Sequence, residues 1–315
     1  MATTTFDPAK DIPNLKGKVL IITGGTAGIG RATVLSFAAH QPAHIIFTGR
    51  SQPSAEAVIS ESSSEHPSVP VTFIKCDLAS LSSIQTAARQ IVSKVTRIDI
   101  LIANAGVMAL PQALTEDGYE IQFCTNFLGH ALLVKLLTPL MQTTARIHGD
   151  VRIVWDSSIV YMIHPLGGIQ FDTLQTIQAD MSPTSGNWIR YSQSKLANLL
   201  YARAFAKHHP EITSVAIHPG IAYTGLIESL SWAERIFVKA TTFWMAVPPD
   251  QCAYNQQWAA TAPLGGGIMQ VESGRYYEPV GRKAWLLRRA GDDGLAEKLW
   301  EWTQEELKPF ELAAS

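Results

Sequence analysis

Along this chain, short apolar runs alternate with longer amphipathic stretches. The runs are VLIIT (19–23), HIIFTG (44–49), VTFIKCD (71–77), IDILIANAG (98–106), VRIVWDSS (151–158), TSVAIHPG (213–220) and RYYEP (275–279). Continuous apolar runs, rather than apolar/polar alternation, predict strands buried on both faces. Helical patterns fill most gaps, as in RATVLSFAAH, SIQTAARQIVSKV, YEIQFCTNFLGHALLVKLLTPLM and WIRYSQSKLANLLYARAFAKHH. Repeated strand–helix order predicts an α/β fold with a doubly wound parallel sheet and helices on both faces.

No composition break marks a second domain, so residues 16–308 read as one domain between an N-terminal tail (1–15) and a C-terminal tail (309–315). The Ser-rich ISESSSEHPS at 59–68 reads as a loop between helix and strand. Two irregular regions, near 159–190 and 221–262, follow strand ends, where open α/β sheets place their ligand crevice.

Charge narrows the function classes. The 25 basic and 27 acidic residues nearly cancel and form no long run of one sign, which argues against nucleic acid and against a polybasic membrane patch. Cys76, Cys124 and Cys252 lack metal-ligand spacing and read as reduced core residues of a cytosolic protein. The opening MATTTFDPAKDIPN has neither a signal-peptide nor a transit-peptide pattern. No uncharged stretch reads as a bilayer span, so a cytoplasmic location is expected, with peripheral membrane association left open.

Chemistry begins where the first apolar run breaks into TGGTAGIGR. Gly24, Gly25, Gly28 and Gly30 lack Cβ atoms, which permits a tight turn and lets a pyrophosphate approach the N–H groups and positive dipole of the following helix. The spacing of Gly24, Gly28 and Gly30 is wider than the usual dinucleotide fingerprint. With it the sequence resembles the short-chain dehydrogenase/reductase superfamily, whose fold is a Rossmann-type sheet.

After the second run comes Gly49-Arg50-Ser51, where a site preferring NAD(H) would offer a carboxylate to the ribose 2′-hydroxyl. None is present. Arg50, with Arg31, is suited to a 2′-phosphate, so NADP(H) is expected over NAD(H). For Asp77 the resemblance implies contact with the adenine, and a helix N-cap is an equal reading. It also implies that Thr26, Ile29, Leu78 and the Asn104-Ala105-Gly106 element line the cofactor groove, with Pro219, Gly220, Ile221 and Thr224 near the nicotinamide.

Tyr191 and Lys195 in YSQSK lie four apart, which puts them on one helical face. A fixed ammonium near a phenol is expected to lower its pKa and yield a usable acid/base group. Ser158 ends the fifth run, where its hydroxyl can stabilise a developing oxyanion. The resemblance implies that Asn126 helps hold a relay water and that Lys195 and Tyr191 also contact the cofactor. It points to the retinol dehydrogenase and protochlorophyllide reductase branch, through SKLANLLYARAFAK, AIHPGIAYTGL and AEKLWEWTQEEL, and to related fungal tailoring reductases of secondary metabolism. A small lipophilic carbonyl or alcohol substrate and a homo-oligomer are what that resemblance implies.

Two stretches depart from the pattern. Trp155-Asp156 stands where small or aliphatic residues are usual, and a carboxylate there must find a partner or take up a proton. Asp156 reads first as a structural acid, with tuning of Ser158 or substrate contact as alternatives. In 231–247, Trp232, Ile236, Ala240, Phe243 and Val247 share one helical face. Core packing is the first reading there, followed by a substrate lid, a dimer contact or an interfacial membrane anchor. His208-His209 finds no matching ligand set, and no metal is expected. The competing functions are a dehydratase or isomerase on the same fold and a cofactor-sensing interaction protein.

Overall fold

A computed structural model describes residues 6–182, 184–221, 230, 232–242 and 246–311. The apolar runs become β1 (Val19–Thr23), β2 (His44–Gly49), β3 (Val71–Lys75), β4 (Ile100–Ala103), β5 (Arg152–Asp156), β6 (Thr213–Ile217) and β7 (Tyr276–Glu278). A two-residue β8 (Arg282–Lys283), which no apolar run announces, folds back antiparallel on β7. The sheet order is β3-β2-β1-β4-β5-β6-β7-β8, parallel through β7.

The helices in chain order are α1 (Pro8–Asp11), α2 (Gly28–Ala38), α3 (Gln52–Glu65), α4 (Leu81–Lys94), the short α5 (Ile121–Phe123), α6 (Gly129–His148), α7 (Gly186–His208), α8 (Trp232–Thr242), α9 (Pro249–Thr261) and α10 (Asp293–Leu307). Strand pleating divides the core between the two sheet faces. Ile21, Leu101, Ile153 and Trp155 pack with α4, α6 and α7, while Leu20, Ile102, Val154 and Ile217 pack with α2 and α9. Because β1 lies between β2 and β4, chain direction across the sheet reverses at that pair. Open sheets leave a crevice beyond the strand ends at such a point.

Three expectations need correction. The Ser-rich 59–68 segment is not a loop at its start: α3 continues to Glu65, with the Ser51 hydroxyl capping Ser54 N–H at 3.3 Å. Only Ala55, Val58 and Ser62 face inward, so the helix carries too few apolar residues to announce itself. The segment expected as an N-terminal tail buries Phe6, Ile12 and Leu15, with the Phe6 ring 5.9 Å from that of Tyr254 on α9. Finally, residues 121–148 are long and apolar enough to cross a membrane by length and composition, yet 78% of that helix's most apolar window is buried inside the fold.

Candidate active site

The glycine turn sits at the C-terminal end of β1. Gly24 (φ +70°) and Gly28 (φ +54°) adopt left-handed backbone, the conformation glycine takes at least cost. A Cβ on Gly30 would run into the Gly24 carbonyl and the Asn104 amide, so missing side chains let α2 start directly against the sheet. No side chain caps α2 at Ala27, and its first N–H groups face the crevice without the usual hydroxyl or carboxylate partner. The end of β4 is held to this turn by Thr23, whose hydroxyl accepts from the backbone N–H of both Asn104 and Ala105 at 3.0 Å, while Asn104 Nδ2 donates to the Thr23 carbonyl at 2.7 Å.

The resulting cavity, about 450 Å³, is lined by Gly24, Thr26, Gly28, Ile29 and Gly30 from this turn. Arg50, Asp77, Leu78, Asn104, Ala105 and Gly106 join it from the ends of β2, β3 and β4. Arg31 does not line it and is ion-paired with Glu61 of α3. Asp77 is not the cap of α4. Ser80 holds that place, accepting from Ser83 N–H at 3.3 Å, while Asp77 Oδ1 accepts from Ala79 N–H at 3.0 Å.

A second cavity of about 210 Å³ opens beside the first and shares Asn104, Gly106, Val107 and Met108 with it. Ser158, Tyr191 and Lys195 line its polar side, with Pro219, Gly220 and Ile221 at its edge. Its apolar side comes from Val107, Met108, Ile159, Val160, Trp188 and Val238. Lys195 Nζ donates to the Asp156 carbonyl at 2.9 Å and lies 5.8 Å from the centre of the Tyr191 ring. Asn126 sits in a π-helical turn, Cys124–Leu128, between α5 and α6. Its Oδ1 accepts from Val107 N–H at 2.7 Å, and its Nδ2 donates to the Val107 carbonyl and to Ser194 Oγ at 2.9 Å. A Cβ on Gly106 would lie 3.2 Å from Asn126 Oδ1 and 3.5 Å from Lys195 Nζ, so Gly106 is where these two converge. Thr224 lies outside the described residues.

Burial dominates the titration of this site. It pushes Tyr191 up to about 12, against the lowering effect of its hydrogen bond with Ser158. The acidified phenol expected from the Tyr191–Lys195 spacing is therefore not found: desolvation, joined by the nearby Asp156, outweighs the Ser158 hydrogen bond. Burial lowers Lys195 from the ordinary lysine value, opposed by the nearby Asp156, and raises Asp156 well above the carboxylate range. His218, also on this cavity, is lowered to about 4 by burial and is a neutral imidazole.

Comparison with known proteins decides the family. A model described as short chain dehydrogenase matches residues 18–162. An uncharacterized oxidoreductase of Schizosaccharomyces pombe is 35% identical over 94% of this chain and 86% of its own length. Human retinol dehydrogenase 13 is 34% identical over 91% of this chain and 83% of its own. The chain belongs to the short-chain dehydrogenase/reductase family. A crystal structure of a protein from Mycobacterium paratuberculosis superimposes with a TM-score of 0.72 at 29% identity, covering 96% of this chain and 98% of that one. The protein is thus an NAD(P)-dependent oxidoreductase of the retinol dehydrogenase-like branch.

The two stretches that departed from the sequence pattern find their places in this short-chain dehydrogenase/reductase. Trp155 is fully buried, donates Nε1–H to Ser214 Oγ at 3.1 Å and packs edge-on against Tyr201, so it belongs to the core. The amphipathic 231–247 stretch is not core: α8 leaves Trp232 and Ile236 exposed and turns Val238 to the small cavity. Phe243 lies outside the described residues. Glu234 Oε1 ties α8 to the start of α7, accepting from Asn187 Nδ2 at 2.6 Å and Trp188 Nε1 at 3.2 Å. Trp188 in turn stands edge-on to Tyr191 with ring centres 6.2 Å apart. Sequence reasoning missed Thr23, Trp188, His218 and Glu234, and Trp188 alone gave a signal, three residues before Tyr191 on the same helical face.

Among the described residues, no group of three His, Cys, Asp or Glu side chains is placed to hold a metal. His208 stacks on Trp300 and bonds Glu297 at 2.7 Å. The three cysteines are buried and unpaired by disulfide.

Proposed function

We propose that the protein is an NADPH-dependent reductase of lipophilic ketones or aldehydes. One observation carries the reading: a small, mostly apolar cavity lined by Ser158, Tyr191 and Lys195 opens directly into the glycine-walled crevice. The crevice fits a dinucleotide through its uncapped helix start and the left-handed Gly24 and Gly28 that line it without side chains. When bound, the dihydronicotinamide supplies a hydride, two electrons and one hydrogen, to the carbonyl carbon.

The protein's residues supply the remainder. Ser158 donates a hydrogen bond to the substrate oxygen, and Tyr191 gives its phenolic proton to that oxygen as charge develops there. A phenol held up to about 12 carries its proton throughout the neutral range, as a proton donor to the substrate oxygen must. Lys195 holds a positive charge in the small cavity and would meet both the forming alkoxide and the ribose. Asn126 fixes the wall between them through Val107, and Trp188 and Val238 exclude water from the apolar side. Arg50, which lines the crevice, would hold the 2′-phosphate.

The test is consumption of NADPH with a panel of aliphatic and aromatic ketones, with products identified by mass spectrometry. Tyr191→Phe is expected to lower turnover by about 10²- to 10⁴-fold while NADPH still binds. Undiminished turnover by that variant would overturn the assignment, and product formation without NADPH consumption would select the non-redox alternative.

A further inference from the structure

Asp156 ends β5 with its backbone carbonyl on the catalytic side and its carboxyl group elsewhere. The carbonyl accepts from Lys195 Nζ and Asn198 Nδ2, both at 2.9 Å. Asp156 follows the pleat of Val154, toward the layer of α2 and α9. There one end of the Gln256 amide lies 2.9 Å from Asp156 Oδ2 and 3.2 Å from Oδ1, and its other end meets the Thr33 hydroxyl. Thr33 Oγ1 is 2.9 Å from the carbonyl of Ile29, in the first turn of α2. Gln256 and Thr33 are fully buried and Asp156 is only 3% exposed.

This chain has two self-consistent directions, and the proton on Asp156 selects between them. With Asp156 protonated, its O–H donates to Gln256 Oε1, Gln256 Nε2 donates to Thr33 Oγ1, and Thr33 donates to the Ile29 carbonyl. With Asp156 ionised, the amide must turn over so that Nε2 donates to the carboxylate. Thr33 then donates to Gln256 Oε1 and releases Ile29. The first direction keeps the Ile29 tether and buries no charge, whereas the second gives both carboxylate oxygens an N–H at the cost of that tether.

We propose that Asp156 is a positioning residue whose proton sets the direction of this chain, linking protonation beneath Lys195 to dinucleotide capture at the start of α2. The inference rests on the dinucleotide reading of the crevice. An anion at the N-terminus of α2 favours the direction that keeps Ile29 tethered and leaves no buried negative charge below it, so binding draws a proton onto Asp156. The titratable groups around Asp156 are Lys195 and Tyr191 on α7 and His218 beyond β6. The side chains meeting its carboxyl group from α2 and α9, Thr33 and Gln256, are uncharged. Burial raises the Asp156 pKa and the Lys195 ammonium opposes this, which brings the group into a titratable range.

Isothermal titration of NADH and NADPH into the protein near pH 7, in buffers of different ionisation enthalpy, tests the linkage. The wild type is expected to take up some tenths of a proton per dinucleotide, and its affinity to fall as pH rises through the Asp156 titration, by up to about tenfold for each unit that binding raises the Asp156 pKa. NADH carries no 2′-phosphate to titrate and isolates the protein's proton. Asp156→Asn, which mimics the protonated direction, should abolish the uptake while binding persists. Thr33→Val leaves Asp156 and Gln256 in place but cuts the chain at its far end, and should weaken the uptake by removing the tether while the direct electrostatic effect stays. Unchanged uptake in either variant overturns the proposal. A wild type that binds neither dinucleotide overturns the cofactor reading itself and this inference with it, whereas binding with no proton uptake overturns this inference alone.

Discussion

Replacing Arg50 with alanine isolates the cofactor's 2′-phosphate from the rest of its binding energy. Arg50 lines the crevice, is exposed, and makes no hydrogen bond or ion pair among the described residues, so the substitution breaks nothing in the free protein. A charge-assisted hydrogen bond contributes about 1.5–3 kcal/mol, and solvent at an exposed site reduces this to about 1–2 kcal/mol. That corresponds to roughly a 5- to 30-fold weaker Kd for NADPH. NADH, which has no 2′-phosphate, should bind Arg50→Ala within about twofold of wild type. Titration of both dinucleotides against intrinsic tryptophan fluorescence reads the two constants side by side. Arg31→Ala should matter less, because Glu61 already holds Arg31, and Glu61→Gln should release Arg31 and tighten NADPH. Equal losses for both dinucleotides, or no loss for NADPH, would refute the role given to Arg50.

Other substitutions probe other parts of the machinery. Gly30→Ala should abolish binding of either dinucleotide, since the new methyl meets the Gly24 carbonyl, and retained affinity by calorimetry would contradict the close approach of α2 to β1. Reductase turnover should fall on the alkaline side as Lys195 loses its proton, at a pH below the ordinary lysine value because burial lowers it. The Tyr191 phenol stays protonated up to about 12, and an alkaline limb at or above about 10.4 would count against this order. Glu234→Ala should raise the KM of a lipophilic ketone by roughly 3- to 10-fold through loss of the hydrogen bonds that hold α8, with dinucleotide affinity unchanged. A parallel loss of dinucleotide affinity would mean that α8 serves the crevice instead.

Local pattern announced most of the scaffold because its strands are apolar on both faces and its glycines sit where backbone must pass backbone. Three residues that line the small cavity were readable for a related reason: Tyr191 and Lys195 share a helix, and Ser158 closes a strand. What escaped depends on partners distant in sequence. Thr23 gains its meaning only when β4 arrives with Asn104. Arg31 looks free until Glu61 is brought against it by a helix that carries too few apolar residues to be noticed. The phenol's pKa could not follow from spacing, because spacing reports the ammonium and not the depth of burial. Asp156 was correctly singled out as a group needing a partner, but Gln256, a hundred positions further on, is supplied only by the packing of α9 on the sheet.

The wide turn at Cys124–Leu128 has a consequence for how the chain tolerates change. An α-helix advances about 100° per residue, so a turn closing one residue late offsets everything upstream by about that angle. Deleting a single residue from this stretch would restore an unbroken α-helix, but it would swing either Asn126 off Val107 or the preceding Glu120 off Arg190 of α7. Length here is therefore held more strictly than composition: exchanges of side chains within the turn leave its phase intact, while one lost codon does not.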